Sequence, residues 1–191
     1  PRGARERRWQ AASPRALADS RVLMVGTGAI GEAIRSRLAP FETEITRVAT
    51  TARDDEHGHI HGIDELPELL PNTDILVLIV PLTDSTRGLI GAKELALLPD
   101  GALVVNVARG PVVDTDAITA EVVAGRLRMA SDVFDPEPFP DDHPLWQADG
   151  AFISPHIGGN TTAMLPRIVA LLADQLPRLA DGRELKFVVK S

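Results

Sequence analysis

The chain has 191 residues, 44% hydrophobic and 25% charged, a globular balance with room for one good core and part of a second domain. Its net charge of −7 argues against a nucleic-acid groove, and the absence of cysteine excludes disulfides and thiolate chemistry. No apolar run reaches the ~18 residues of a membrane span and no signal peptide is visible, so a soluble, cytoplasmic protein without membrane contact is the expectation. The chain opens on Pro1 rather than methionine, which reads as a fragment or a processed chain.

Residues 1–19 read as a basic N-terminal helix and linker, with Trp9 packed on a neighbour and Ser13-Pro14 as the break. Arg21–Val25 is a strand pattern, and Ile30, Ala33, Ile34 and Leu38 follow it at helical spacing. Between them lies Gly26-Thr27-Gly28-Ala29-Ile30-Gly31. A strand, a Gly-x-Gly-x-x-Gly turn and a helix make a dinucleotide fingerprint. Gly26 permits the tight turn, Gly28 lets backbone approach a pyrophosphate, and Gly31 lets the helix pack on the sheet. The start of the helix, at Ala29 and Ile30, offers unpaired N–H donors to the phosphates.

Glu44–Ala49 reads as the second strand and Leu66–Leu70 as a short helical piece. Asp74–Val80, ended by Pro81, is a continuous apolar run suited to a strand buried on both faces. A helix over Lys93–Leu98, a strand over Ala102–Asn106 and a helix over Asp114–Ala124 follow, the last stopped by Gly125. Strands are expected at Arg128–Val133 and Ala151–Ser154. A final helix starts near Asn160 or Thr161 and carries Leu165, Ile168, Leu172, Leu176 and Leu179. Pro166 falls in its first turn, and Pro177 should kink or end it. Six strands alternating with helices predict an α/β fold, a doubly wound parallel sheet over 20–160 with a crossover helix and tail over 161–191.

In such sheets ligands sit beyond the carboxyl ends of the strands. Three stretches after strands therefore carry the chemistry. In Asn106-Val107-Ala108-Arg109-Gly110 the arginine can hold a carboxylate through two parallel N–H bonds. In Asp132-Val133-Phe134-Asp135-Pro136-Glu137-Pro138 the prolines stiffen a loop with three acids, and the residues alone do not choose between Asp132, Asp135 and Glu137. In Pro155-His156-Ile157-Gly158-Gly159 a histidine follows a strand, beside glycines that admit a ligand. Arginine, acid and histidine around a nucleotide cradle form a hydride-transfer constellation.

Gly26–Gly31, Asn106–Gly110, Asp132–Pro138 and Pro155–Gly159 together resemble the signature of the D-isomer-specific 2-hydroxyacid dehydrogenases, over about residues 20–180. The resemblance implies a Rossmann-like domain and an oxidoreductase interconverting a small 2-keto acid and its D-2-hydroxy acid. It implies that Arg109 binds the substrate carboxylate, that His156 is the acid/base and that Glu137 pairs with it. Asp132, Val107, Ala108 and His156 to Gly159, Gly158 included, then surround the nicotinamide, and Val80 and Pro81 belong to the cofactor surface. The family's substrate lobe does not fit in residues 1–19, so the chain resembles the nucleotide half with its crossover, and a homodimer is the expectation. The alternative is a nucleotide-sensing module of the same fold with a corepressor-like role.

An NAD-preferring fold wants an acid about 20 residues beyond the glycines, to bind the ribose diol. That position is occupied by Thr50 and Thr51, followed by Arg53, which suits a 2′-phosphate, so NADP(H) is favoured over NAD(H). Asp54 and Asp55 would serve NAD only if the strand ran longer. His57-Gly58-His59-Ile60-His61 would put three histidines on one face if extended. With no acid or cysteine placed to complete a site, and glycines within and after it, the run is read as a loop without a metal.

Overall fold

The structure, a computed structural model, describes residues 15–186 and residue 188. The expected helix around Trp9 lies outside the described residues. The chain divides into two compact units after Ile153, ahead of the boundary expected at 160/161, because the sheet ends there.

The first unit is an eight-stranded sheet in the order β3-β4-β2-β1-β5-β6-β7-β8. Its strands are β1 (Arg21–Val25), β2 (Glu44–Ala49), β3 (Arg53–Asp55), β4 (Gly58–Gly62), β5 (Ile75–Leu78), β6 (Leu103–Asn106), β7 (Arg128–Ser131) and β8 (Ala151–Ile153). All neighbours are parallel except β3 and β4. The helices of this unit are α1 (Ala29–Leu38), α2 (Leu66–Leu69), α3 (Ala92–Leu97) and α4 (Thr115–Val123).

Alternation along β1 builds both layers. Val22 and Met24 join Val77 under Ile34 and Leu38 of α1, while Leu23 and Val25 enter the larger core on the other face. Each such side chain contributes about 1.5–3 kcal/mol on burial. Ile30, although in register with Ile34 and Leu38, is 63% exposed at the first turn of α1. At the opposite end of the sheet, Asp74 is buried and tied to Arg21 and Arg15. Its Oδ2 accepts from the Arg21 backbone N–H and Nε at 2.9 and 3.0 Å, and its Oδ1 accepts from Arg15 Nη2 at 2.8 Å. Arg21 chiefly holds the carboxyl down at about 2.

Two strands beyond the expected six correct the reading of residues 53–62. The histidine run is not a loop but β4, paired in parallel with β2 and antiparallel with β3. Gly58, at φ +103°, makes the turn between β3 and β4. Ile60 anchors β4 at 1% exposed, and Arg47 of β2, 4% exposed, reaches across. Arg47 donates to both Asp55 oxygens at 2.6 and 2.7 Å and to the Gly58 carbonyl at 3.0 Å. That guanidinium, with the His57 N–H, holds the Asp55 carboxyl well below the usual range.

The second unit holds α5 (Met164–Ala180), which begins later than expected, after turns at 157–163. Pro166 falls in its first turn, where a missing N–H costs nothing. Pro177 does not end it, since the helix continues to Ala180. No helix among the described residues is long and apolar enough to cross a membrane.

Candidate cofactor and substrate site

β1, β6 and β7 are parallel, so the segments that follow them leave the same, carboxyl, end of the sheet. At the end of β1, Gly26 donates to the Val48 carbonyl at 2.9 Å and takes φ +118°. A Cβ there would collide with the Ile79 carbonyl, and one at Gly31 would collide with the Gly26 carbonyl. Only glycine lets α1 start this close to the turn. Gly28 differs: a Cβ there would meet nothing within 4 Å. Gly28 caps α1 with no side-chain hydrogen bond. The first N–H groups of α1, around Ala29 and Ile30, have no acceptor within a helix of this geometry. The turn thus presents open space, amide donors and the positive end of a helix, features that suit a pyrophosphate.

The segment after β2 brings a cation to that turn. Thr50 and Thr51 are exposed between β2 and β3. Arg53 of β3 folds back, donating to Thr27 Oγ1 at 2.8 Å and to the Thr51 carbonyl at 3.3 Å. The two acids that could have served a ribose diol are committed elsewhere. Asp55 holds Arg47, and Asp54 Oδ1 lies 2.8 Å from His59 Nδ1. Val80 packs partly on the core after β5. Thr86 Oγ1 pins the following turn by donating to the Pro81 carbonyl at 2.7 Å.

Asn106, which ends β6 and is buried, shapes the loop of Val107, Ala108 and Arg109. Its Oδ1 accepts from the Ala108 N–H at 3.1 Å, and its Nδ2 donates to the Arg109 carbonyl at 3.0 Å. Arg109 is exposed and donates to the Ala108 carbonyl at 2.7 Å. At Gly110 a Cβ would strike the Phe134 backbone, so the Arg109 loop and the acidic loop after β7 lie against each other here. Buried Ser131 links the same two segments. Its single hydroxyl proton is shared between the Asn106 carbonyl of the other segment at 3.1 Å and the Val133 carbonyl of its own at 2.8 Å. Asn106 and Ser131, each the polar residue that ends its strand, are scaffolding residues that no sequence motif marks as buried.

Asp132 follows β7 directly and is half-buried. Glu137 closes the loop back on itself by accepting from the Phe134 N–H at 2.9 Å. Phe134 stacks on Phe139 with ring centroids 4.1 Å apart, and Trp146 donates to the Pro140 carbonyl at 2.7 Å, so the proline-rich segment is held at both ends. His156, Gly158 and Gly159 belong to the second unit. His156 is exposed, with left-handed backbone at φ +50°, and its N–H donates to the Ser154 carbonyl at 3.1 Å.

The family model described as D-isomer specific 2-hydroxyacid dehydrogenase, NAD binding domain, matches residues 2–158. A glyoxylate reductase of Thermofilum pendens is 36% identical over 83% of this chain and 48% of its own length. The chloroplastic/mitochondrial formate dehydrogenase of Arabidopsis thaliana is 31% identical over 87% of this chain and 45% of its own. A D-isomer specific 2-hydroxyacid dehydrogenase of Xanthobacter autotrophicus, solved with NADPH and MES, superposes with a TM-score of 0.85 at 35% identity, over 99% of this chain and 78% of that one. A probable 2-hydroxyacid dehydrogenase of Rhizobium etli, solved with NADP, HEPES and L(+)-tartaric acid, superposes with a TM-score of 0.86 at 28% identity, over 99% of this chain and 61% of that one. The chain spans about half the length of the curated relatives it matches. Over the matched residues, 2–158, it belongs to the D-isomer-specific 2-hydroxyacid dehydrogenase family and carries that family's NAD-binding domain.

Proposed function

We propose that this domain binds NADP(H) in preference to NAD(H) and serves an oxidoreductase that interconverts a small 2-keto acid and its D-2-hydroxy acid. The observation that carries the cofactor reading is Arg53, drawn onto Thr27 of the glycine turn at 2.8 Å while Asp54 and Asp55 are occupied. Gly28 and the amides of Ala29 and Ile30 would hold the pyrophosphate. Arg53, with Thr50 and Thr51, would hold a 2′-phosphate through charge-assisted bonds. Val107, Ala108 and Asp132 would line the nicotinamide end. Solved relatives with NADPH or NADP at 35% and 28% identity support the same choice.

A nicotinamide held along Val107, Ala108 and Asp132 would supply hydride for reduction of the keto acid at C2. Arg109 grips the substrate carboxylate, as a fixed, permanently charged fork does best. His156 gives its proton to the oxygen on C2 as negative charge develops there. Glu137 is the carboxylate partner that the family resemblance assigns to His156, favouring imidazolium and fixing its tautomer. Oxidation of the hydroxy acid runs these steps in reverse. Relatives named glyoxylate reductase and formate dehydrogenase support a small carboxylate substrate.

Titration of the full chain with NADPH and NADH, followed by fluorescence and thermal stabilisation, tests the reading. Tighter binding of NADPH is expected, with Arg53→Ala weakening it by about tenfold or more and leaving NADH unchanged. A preference for NADH overturns the 2′-phosphate assignment, and no binding of either overturns the cofactor reading.

A further inference from the structure

The β3–β4 hairpin that carries Arg53 has a second feature, on residues the proposed oxidoreduction does not use. His59 and His61 alternate in β4, so both project from one face while Ile60 between them is buried on the other. The chain then turns through a short 3₁₀ segment, Ile63–Glu65, which returns a carboxylate to the same place. Glu65 is fixed by two bonds. Its Oε1 accepts from the Gly62 N–H at 2.7 Å, and its Oε2 lies 2.7 Å from His61 Nδ1. The two imidazoles meet edge-on with centroids 4.7 Å apart. One ligand atom from each of His59, His61 and Glu65 lies within 4.8 Å of the others.

We propose that His59, His61 and Glu65 form a zinc-type divalent metal site on the edge of the sheet, with water as the fourth ligand. The donor set, two imidazoles and one carboxylate, is one that zinc accepts. Ligand atoms around tetrahedral zinc, at bonds of about 2.0–2.2 Å, stand about 3.4 Å apart. The three ligand atoms lie within 4.8 Å of one another on side chains that are exposed or half-buried. Asp54, on the neighbouring strand in register with His59, supports the site from outside. A carboxylate can only accept, so its contact at 2.8 Å keeps the proton on His59 Nδ1 and leaves the lone pair on Nε2. The Gly62 N–H, 2.7 Å from Oε1, holds the Glu65 carboxylate in place beside the two imidazoles.

Calorimetric titration of the full chain with zinc chloride tests this, alongside imidazole nitrogen NMR of the wild-type protein. One zinc per chain is expected, with affinity reduced at least about tenfold in His59→Gln, His61→Gln and Glu65→Gln and unchanged in His57→Gln. In the wild-type protein, the ring nitrogens of His59 and His61 should shift on saturation, while those of His57, His143 and His156 stay in place. The NMR result decides even if a variant fails to fold. No saturable binding, or shifts confined to the other three histidines, overturns the site.

Discussion

The glycine turn after β1 and the paired loops after β6 and β7 leave the same end of the sheet but are held by different means. In the turn, backbone packs on backbone, with Gly26 against Ile79 and Gly31 against Gly26. In the loops, side chains do the holding. Asn106 bridges the backbone of the Ala108–Arg109 loop, Ser131 ties the two segments together through the Asn106 carbonyl, and Glu137 folds its loop onto Phe134. Only Gly110, pressed on Phe134, uses the first device within the second region. Backbone crowding admits a single residue type, whereas a side-chain bracket can be loosened by degrees.

The largest effect should come from breaking the crowded region. Gly26→Ala places a methyl group in the Ile79 carbonyl and demands an unfavourable φ, at a cost of about 3 kcal/mol or more by denaturant midpoint. Recovery of wild-type stability in that variant would show that the turn is not held by crowding. Asn106→Ala tests the bracket. It leaves the buried Ala108 N–H without its acceptor and should cost about 1–3 kcal/mol in the same assay. Gly28→Ala sharpens the contrast, because the space at Gly28 is empty of protein. Stability should fall by no more than about 1 kcal/mol, the disadvantage of alanine at a helix N-cap, while NADPH affinity falls by about tenfold or more. A Gly28→Ala protein that binds normally would place the pyrophosphate elsewhere.

This contrast also explains what the sequence disclosed. Glycines that cannot be replaced stand out against a strand and a helix, and β1, α1 and the apolar run of β5 could be placed from pattern alone. The Arg109 and Glu137 loops were legible as loops, but their brackets were not, because a buried asparagine or serine reads the same as an exposed one. Residues 53–62 were the clearest failure. Arg, Asp, Gly and His favour no strand by propensity. That hairpin depends on Arg47 being buried against Asp55, a pairing across eight residues that no local pattern announces. Glu65 joined the histidines for a similar reason: its approach depends on a turn and on the anchoring of Ile60.

The outermost strand has a consequence of another kind. An open sheet offers its edge to any passing strand, and an unprotected edge invites growth into aggregates. Here β3 is only three residues long, and every one of them, Arg53, Asp54 and Asp55, is exposed and charged. A foreign strand docking there would have to bury that row or push it aside. The sheet's other edge, β8, is equally short but carries Phe152 at 69% exposure. Within the sheet unit, one flank is thus guarded by a charged row, while the other is short and carries an exposed phenylalanine.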